Sequence, residues 1–183
     1  VLLCYATRDG QAKKIATHVA ARLATQGIAV VPRDLATEAP SAADLAAAPL
    51  VAAVLAIRYG KHLPQSMRLV EALAACPVPP PLALASVCLT ARKPGKDTAE
   101  GNVYLRKFIA RHHLRPVLAA AIAGRLDYPS YRFLDRLAIR FIMWITGGPT
   151  DPSVTVEFTD WSKVDAFADG IAALYAGTRD GKP

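Results

Sequence analysis

Thr7-Arg8-Asp9-Gly10-Gln11-Ala12 is the first stretch of the chain whose residue types could do chemistry. It follows a short apolar run, Val1 to Ala6, and opens a segment in which Ile15, Val19 and Leu23 recur every four residues. A loop so placed lies beside the unpaired N–H groups and partial positive charge of a helix N-terminus, a combination that binds phosphate. Thr7 and Gln11 can add donors, Arg8 adds charge, and Gly10 permits close backbone approach. An ordinary strand-to-helix turn would use the same residues. The loop is neither GxGxxG nor GxxxxGK followed by Ser or Thr, which argues against a dinucleotide Rossmann site and a P-loop NTPase.

Two later loops have comparable content. Ile57-Arg58-Tyr59-Gly60-Lys61-His62 places an aromatic beside a glycine, which could cover a planar ring or be a surface turn. Ser86-Val87-Cys88-Leu89-Thr90-Ala91-Arg92-Lys93-Pro94 offers backbone groups for a polar ring edge, with Arg92 and Lys93 for an anion. Cys88 has no basic partner that spacing can supply and reads as a bystander rather than a nucleophile. Cys4, Cys76 and Cys88 form no CxxC or Cys/His spacing, so neither a disulfide framework nor a metal site is expected. No histidine qualifies as a catalytic base. His62 reads as a solvated loop residue, His112 and His113 as cations ending a helix, and His18 as a helical residue without a nameable partner.

These loops need a scaffold, and the apolar pattern describes one. Helical spacing from Gln11 to Gln26 stops at Gly27, where a C-cap glycine belongs. Ile28 to Val31 reads as a strand ending at Pro32, and Val51 to Ile57 as a strand covered on both faces. Pro64 to Ala75 reads as a helix, Leu82 to Val87 as a strand, Ala99 to His113 as a helix and Val117 to Ala123 as a buried strand. Val154 to Phe158 resumes strand character, and Asp160 caps a last helix from Trp161 to about Tyr175. Strand and helix alternating five times imply a parallel sheet with helices on both faces, with ligands at the carboxyl ends of strands. At 183 residues one domain spanning 1–183 is expected.

Arg125 to Pro152 is too long for a simple connection. Within it Phe133, Leu134, Leu137, Ala138, Phe141, Ile142 and Ile145 form one helical stripe, widened by Ile139, Met143 and Trp144. Arg132, Asp135, Arg136 and Arg140 fall away from the stripe. Such a helix either packs on the body of the domain or meets lipid or a greasy substrate, with its arginines at headgroup level.

Hydrophobic residues make up 52% and charged residues 20%, the balance of a folding chain. The longest apolar stretch, Leu45 to Ile57, contains Pro49 and falls short of the ~20 residues a membrane span needs. No signal peptide is read at the N-terminus, and a few residues are expected to precede Val1. The net charge of +7 favours anionic partners. No RNP, zinc-finger or helix-turn-helix pattern accompanies it, so nucleic acid is not expected among them.

Taken together, Tyr5 to Gln11, Ile57 to Gly60, and Ser86-Val87 with Ala91 to Pro94 resemble the three flavin loops of one branch of the flavodoxin superfamily. That branch is the bacterial quinone-dependent protoporphyrinogen IX dehydrogenase family. Ile122 to Leu126, Tyr128-Pro129, Tyr131-Arg132, Gly147-Gly148 before Thr150-Asp151, and Phe158 to Trp161 resemble it too, so the similarity spans nearly the whole chain in order. The resemblance implies a flavodoxin-like three-layer sandwich, with strand order 2-1-3-4-5 and a long insertion, 125–152, in the region of the fifth strand. It implies FMN held by Thr7 to Ala12, Arg58 to Gly60 and Ser86 to Arg92. It further implies protoporphyrinogen IX as substrate, with Arg125, Tyr128 and Arg132 at its site. A membrane quinone would accept the electrons, and 132–145 would rest on the cytoplasmic face of the inner membrane. Two positions depart from the pattern. Ala12 stands where a hydroxyl residue is usual, a loss of ~1.5–3 kcal/mol at most for one bond to a charged group. Cys88 stands in place of an Asn-like residue. The rival readings are a flavodoxin electron carrier, which is typically acidic and lacks the insertion, and a soluble NAD(P)H:quinone reductase, whose nicotinamide site leaves no mark here.

Overall fold

Along β1 (Leu2–Ala6), Leu3 and Tyr5 point to one face of the sheet, Cys4 and Ala6 to the other, and all four are buried. The same alternation runs through β3 (Val51–Arg58) and β5 (Leu82–Val87). With β2 (Arg33–Asp34) and β6 (Pro116–Ile122) they form a parallel sheet of order β2-β1-β3-β5-β6. This computed structural model describes residues 1–131, 133–145 and 147–179. A short β4 (Lys61–His62) folds back antiparallel on β3. Discounting that hairpin, the parallel order is the expected 2-1-3-4-5.

Two apolar cores result, one per face. Ile15, Val19 and Leu23 of α1 (Gln11–Ala24) and Val164, Phe167 and Ile171 of α6 (Trp161–Arg179) cover Leu3, Val54 and Ala85. On the other face α2 (Ala42–Ala47), α3 (Ser66–Ala75) and α4 (Val103–Arg111) cover Val51, Leu55 and Leu84 with Leu45, Leu69, Leu73, Leu105 and Phe108. Each fully buried Leu or Ile contributes roughly 1.5–3 kcal/mol, so this two-sided burial is the main stabilising term. The seam between α1 and α6 carries polar pairs, a His18–Asp165 hydrogen bond at 2.7 Å and an Arg22–Asp169 ion pair at 2.9 Å. His18 therefore does have a partner, 147 positions away along the chain. These pairs are well exposed and set register more than stability.

Two expected strands fall differently. Ile28 to Val31 makes no ladder and Val31 is exposed; pairing begins after Pro32, with Arg33 beside Cys4 and Asp34 beside Tyr5. β2 is an edge strand, and edges carry charge rather than apolar residues. The segment Val154 to Phe158 does not continue the fifth strand. Its core, β8 (Thr155–Glu157), pairs antiparallel with β7 (Arg125–Asp127) as a separate ribbon. The place beside β6 is already taken, since Thr98 bridges Ala120 and the Ala121 N–H donates to the Asp97 carbonyl at 3.0 Å.

The insertion between β7 and β8 has a small core of its own. Leu126, Tyr128, Tyr131, Ile139 and Met143 are buried together, with Leu89, Val154 and Phe158 against them. Its helix, α5 (Phe133–Ile145), is thereby docked on the third loop's side of the sheet.

The loop before α4 is held by a close approach. A Cβ on Gly101 would lie 1.8 Å from the Gly95 carbonyl oxygen, a backbone atom that cannot step aside alone. Asn102, which follows, is almost wholly buried. Its Oδ1 accepts from the N–H groups of Tyr104 and Leu105, and its Nδ2 donates to the Lys96 carbonyl at 2.9 Å and to Cys88 Sγ at 3.3 Å. Gly101→Ala is expected to destabilise the protein by about 1–3 kcal/mol through this overpacking. Urea denaturation reads it as a lower midpoint; an unchanged midpoint would show that the loop accommodates the methyl group.

Candidate functional site

The carboxyl ends of β1, β3 and β5 open on a cavity of about 550 Å³, within the ~300–1,000 Å³ range of small-molecule sites. Thr7, Arg8, Asp9, Gln11 and Ala12 line it from the first loop, and Arg58, Tyr59 and Gly60 from the second. Val87, Cys88, Leu89 and Thr90 contribute from the third. The three loops singled out in the sequence do converge on one space.

In the first loop the left-handed Gly10 (φ 84°) is the N-cap of α1, and its N–H donates to Thr7 Oγ1 at 3.0 Å. No side chain caps α1. By contrast, α2 begins with a full capping box between Ser41 and Asp44. The N-terminus of α1 thus keeps its donors and its dipole directed at the cavity. The Gln11 side-chain nitrogen is committed, donating to Glu157 Oε1 at 3.1 Å and Thr159 Oγ1 at 2.8 Å. Ala12 is buried at the cavity wall.

The second loop is a tight hairpin rather than an open loop. Arg58 pairs with Lys61 across Tyr59-Gly60, both of which have positive φ (50° and 75°), the pattern of a two-residue I′-type turn. Tyr59 is the unusual member, since left-handed backbone disfavours a bulky side chain. Gly60 has no such freedom to become larger, because a Cβ there would come within 3.0 Å of the Tyr104 ring. Tyr59 stands half-exposed at the cavity mouth. Arg58 is 14% exposed and lies between two carboxylates, 2.8 Å from Asp9 and 2.6 Å from Asp135. Its guanidinium also lies over the rings of Tyr59 and Tyr131.

The third loop divides. Val87 to Thr90 reach the cavity, but Ser86, Ala91 and Arg92 do not line it. Ser86 is buried below it, bonded to His62 Nε2 at 2.7 Å. A single 3₁₀ turn over Leu89–Arg92 puts Ala91 into the core. The same turn sends Arg92 over the Phe158 ring, beside a separate cavity of about 250 Å³ shared with Asp97, Asp160 and Lys163. Burial alone pulls the Arg92 guanidinium below its usual range.

Of the expected substrate residues, Arg125 lines the cavity and is paired with Asp127. Tyr128 is fully buried, with its hydroxyl donating to the Pro149 carbonyl at 2.8 Å, so it is a core residue of the insertion and not a substrate contact. Arg132 lies outside the described residues. Tyr104, Tyr131, Asp135, Ile139 and Ile142 join the site without being among the residues expected there. Tyr104, Tyr131 and the two isoleucines line the cavity, and Asp135 holds Arg58. Tyr131 lies in a motif shared with the family, Ile139 and Ile142 lie on the apolar side of the helix, and Asp135 is the single acidic residue in the first turn of α5; Tyr104 carries no such signal.

His62 is not a solvated loop residue. It stacks on Phe108 with ring centroids 3.8 Å apart, and burial lowers its pKa from 6.5 to about 4, with His112 adding repulsion. The folded protein thus keeps His62 neutral while the unfolded chain takes a proton more readily. Its contribution is complete above about pH 6.5 and declines as pH falls toward 4, by about 3 kcal/mol in all. His62→Gln, which can still bond Ser86, should flatten the fall in stability between pH 7 and pH 5. Urea midpoints at the two pH values test this; an equally steep fall in the variant would assign the loss elsewhere.

The residues present fit a phosphorylated planar cofactor. An uncapped helix N-terminus faces the cavity, Tyr59 stands at its mouth, and Val87, Leu89 and Ile139 give it apolar walls. The class follows from this site and the sheet order: a flavodoxin-type α/β domain. The flavodoxin domain family matches residues 2–153. The oxidised flavodoxin 1 of Bacillus cereus shares the fold at 13% identity, with a TM-score of 0.54 over 96% of this chain and 95% of that one. The rubredoxin oxygen:oxidoreductase of Desulfovibrio gigas does so at 10% identity and a TM-score of 0.58, over 97% of this chain and 36% of that one.

The chain belongs to the quinone-dependent protoporphyrinogen IX dehydrogenase family of flavodoxin-domain proteins. It is 40% identical to the protoporphyrinogen IX dehydrogenase (quinone) of Escherichia coli strain K12 over 174 residues, 94% of each chain. A Leishmania major protein of the same name is 50% identical over 94 residues, 51% of this chain and 41% of that one.

Proposed function

We propose that this protein oxidises protoporphyrinogen IX to protoporphyrin IX with bound FMN and passes the electrons to a membrane quinone, as a peripheral protein on the cytoplasmic face of the inner membrane. Membership of the dehydrogenase family supports the reaction. The observation that carries the membrane-linked form of it is the orientation of α5. Phe133 is 71% exposed, Leu134 76%, Phe141 60% and Trp144 71%, while only Ile139 and Met143 of this helix are buried. A helix packed on the body of the domain would hide that stripe. Here the charged residues are bonded: Asp135 to Arg58, Arg136 to the Pro129 and Tyr131 carbonyls, and the exposed Arg140 to the Thr150 carbonyl at 2.9 Å. These bonds fix the rotation of the helix about its axis. A contiguous apolar face of this kind marks a lipid or partner surface. No helix among the described residues is long and apolar enough to cross a membrane.

When bound, FMN supplies the hydride acceptor, and the protein supplies position and electrostatics. The open N-terminus of α1 with Thr7 to Ala12 would hold the phosphate, and the hairpin at Arg58 to Gly60 and Val87 to Thr90 would flank the ring. Arg125, at the cavity rim, would receive a propionate carboxylate, and Asp127 keeps its guanidinium oriented until then. Ile142 lies at the cavity and is 43% exposed, so one helix face borders both the site and the surface through which a lipophilic quinone would arrive.

Leu137→Asp with Phe141→Asp should leave the protein folded and flavin-loaded while abolishing its sedimentation with anionic phospholipid vesicles. Retained sedimentation would remove α5 from membrane contact. Arg125→Ala together with Arg132→Ala should raise KM for protoporphyrinogen without releasing FMN. Kinetics equal to wild type would exclude these two arginines as carboxylate partners.

A further inference from the structure

The contacts of Asp135 reach well beyond its own helix. Its Oδ2 accepts from Arg58 at 2.6 Å and its Oδ1 accepts from the Tyr59 hydroxyl. Arg58 and Tyr59 form the hairpin at the cavity mouth, 77 and 76 positions back along the chain. Asp135, Ile139 and Ile142 stand at i, i+4 and i+7 on α5, so the carboxylate and the two cavity-wall isoleucines share one helical face. A displacement of Asp135 therefore carries the wall with it. Tyr59 holds left-handed backbone, a conformation that persists where neighbours over-determine it, and Asp135 is the group bonded to its hydroxyl. Arg58 has a second carboxylate in Asp9, so releasing Asp135 does not strand a shielded cation.

We propose that Asp135 is a positioning residue that clamps α5 to the Arg58–Tyr59 hairpin, so that the arm and the cavity mouth move as one unit. The clamp ties the apolar surface to the site: when α5 is held, Tyr59 stands over the mouth and Ile139 and Ile142 close the wall. The kinetic part of this proposal rests on the function proposed above, whereas the mechanical part does not.

Amide hydrogen exchange on the FMN-loaded protein tests the mechanical part. Asp135→Asn keeps the shape and an acceptor for Tyr59 but removes the ion pair. Deuterium uptake should rise together in residues 57–62 and 133–142, while the strands β1 and β5 stay protected. Arg58→Lys, which keeps the charge but not the fork, should produce the same paired rise in weaker form. In the assay Asp135→Asn should raise KM for protoporphyrinogen roughly fivefold or more, within the usual range of coupling between sites, with kcat changed less. Asp135→Glu should recover part of both effects. Uptake rising only in 133–142 would overturn the proposal, since Asp135 would then merely anchor its own helix; so would unchanged uptake in both segments. A wild-type protein inactive on protoporphyrinogen, but with the paired rise in exchange, would refute the proposed function and leave the clamp standing.

Discussion

A parallel sheet has to be covered on both faces, because its crossovers lay helices on each side and its strands carry apolar residues in both directions. In this protein that constraint sets everything else. The helices supply the two covering layers, and each strand therefore feeds its following helix from the same edge. The loops after β1, β3 and β5 are brought to one place by the topology, and the neighbouring strand ends form a floor on which Thr7, Arg58 and Cys88 meet. The cavity follows from the burial of the sheet, and its chemistry from what the loops happen to carry.

The insertion answers a different constraint. With the outer edge of β6 occupied by Asp97 and Thr98, the returning chain pairs with itself as the β7–β8 ribbon and builds a small core around Tyr128 and Met143. That core can hide only one narrow face of α5. Asp135 bonds to the body at Arg58, while Arg136 and Arg140 bond to carbonyls of the insertion itself, and the broad apolar side is left outward. In water such a face is a liability; against a bilayer it is a binding surface. The polar tethers are what make the orientation definite, since apolar contacts alone have no direction.

The cavity mouth combines these two systems. Arg58 belongs to the sheet and Asp135 to the insertion, and their ion pair is largely shielded from solvent. The hairpin that carries Tyr59 is short and backbone-strained, which makes it dependent on its neighbours. The strand-end loops supply most of the cavity lining, and the insertion adds one wall and one carboxylate. The cavity mouth is thereby set beside an apolar surface.

Much of this was legible in the residues. Helical spacing located α1, the unbroken apolar runs located β3 and β5, and the polar loops after them marked the site, because each of these signals is local. Where partners are distant, the reading went astray. Nothing near His18, His62 or Asp135 in the chain announces Asp165, Ser86 or Arg58. The 3₁₀ turn that swings Arg92 away from the cavity, and the buried bond that ties Tyr128 to Pro149, likewise depend on packing. The sequence by itself determined the alternation of elements, the chemistry of the three loops and the amphipathic character of α5. Only the tertiary structure decided which loop side chains face the cavity and that α5 turns its apolar side out. The reason is that periodicity describes a helix relative to its own axis, whereas orientation is set by whatever the rest of the chain places beside it.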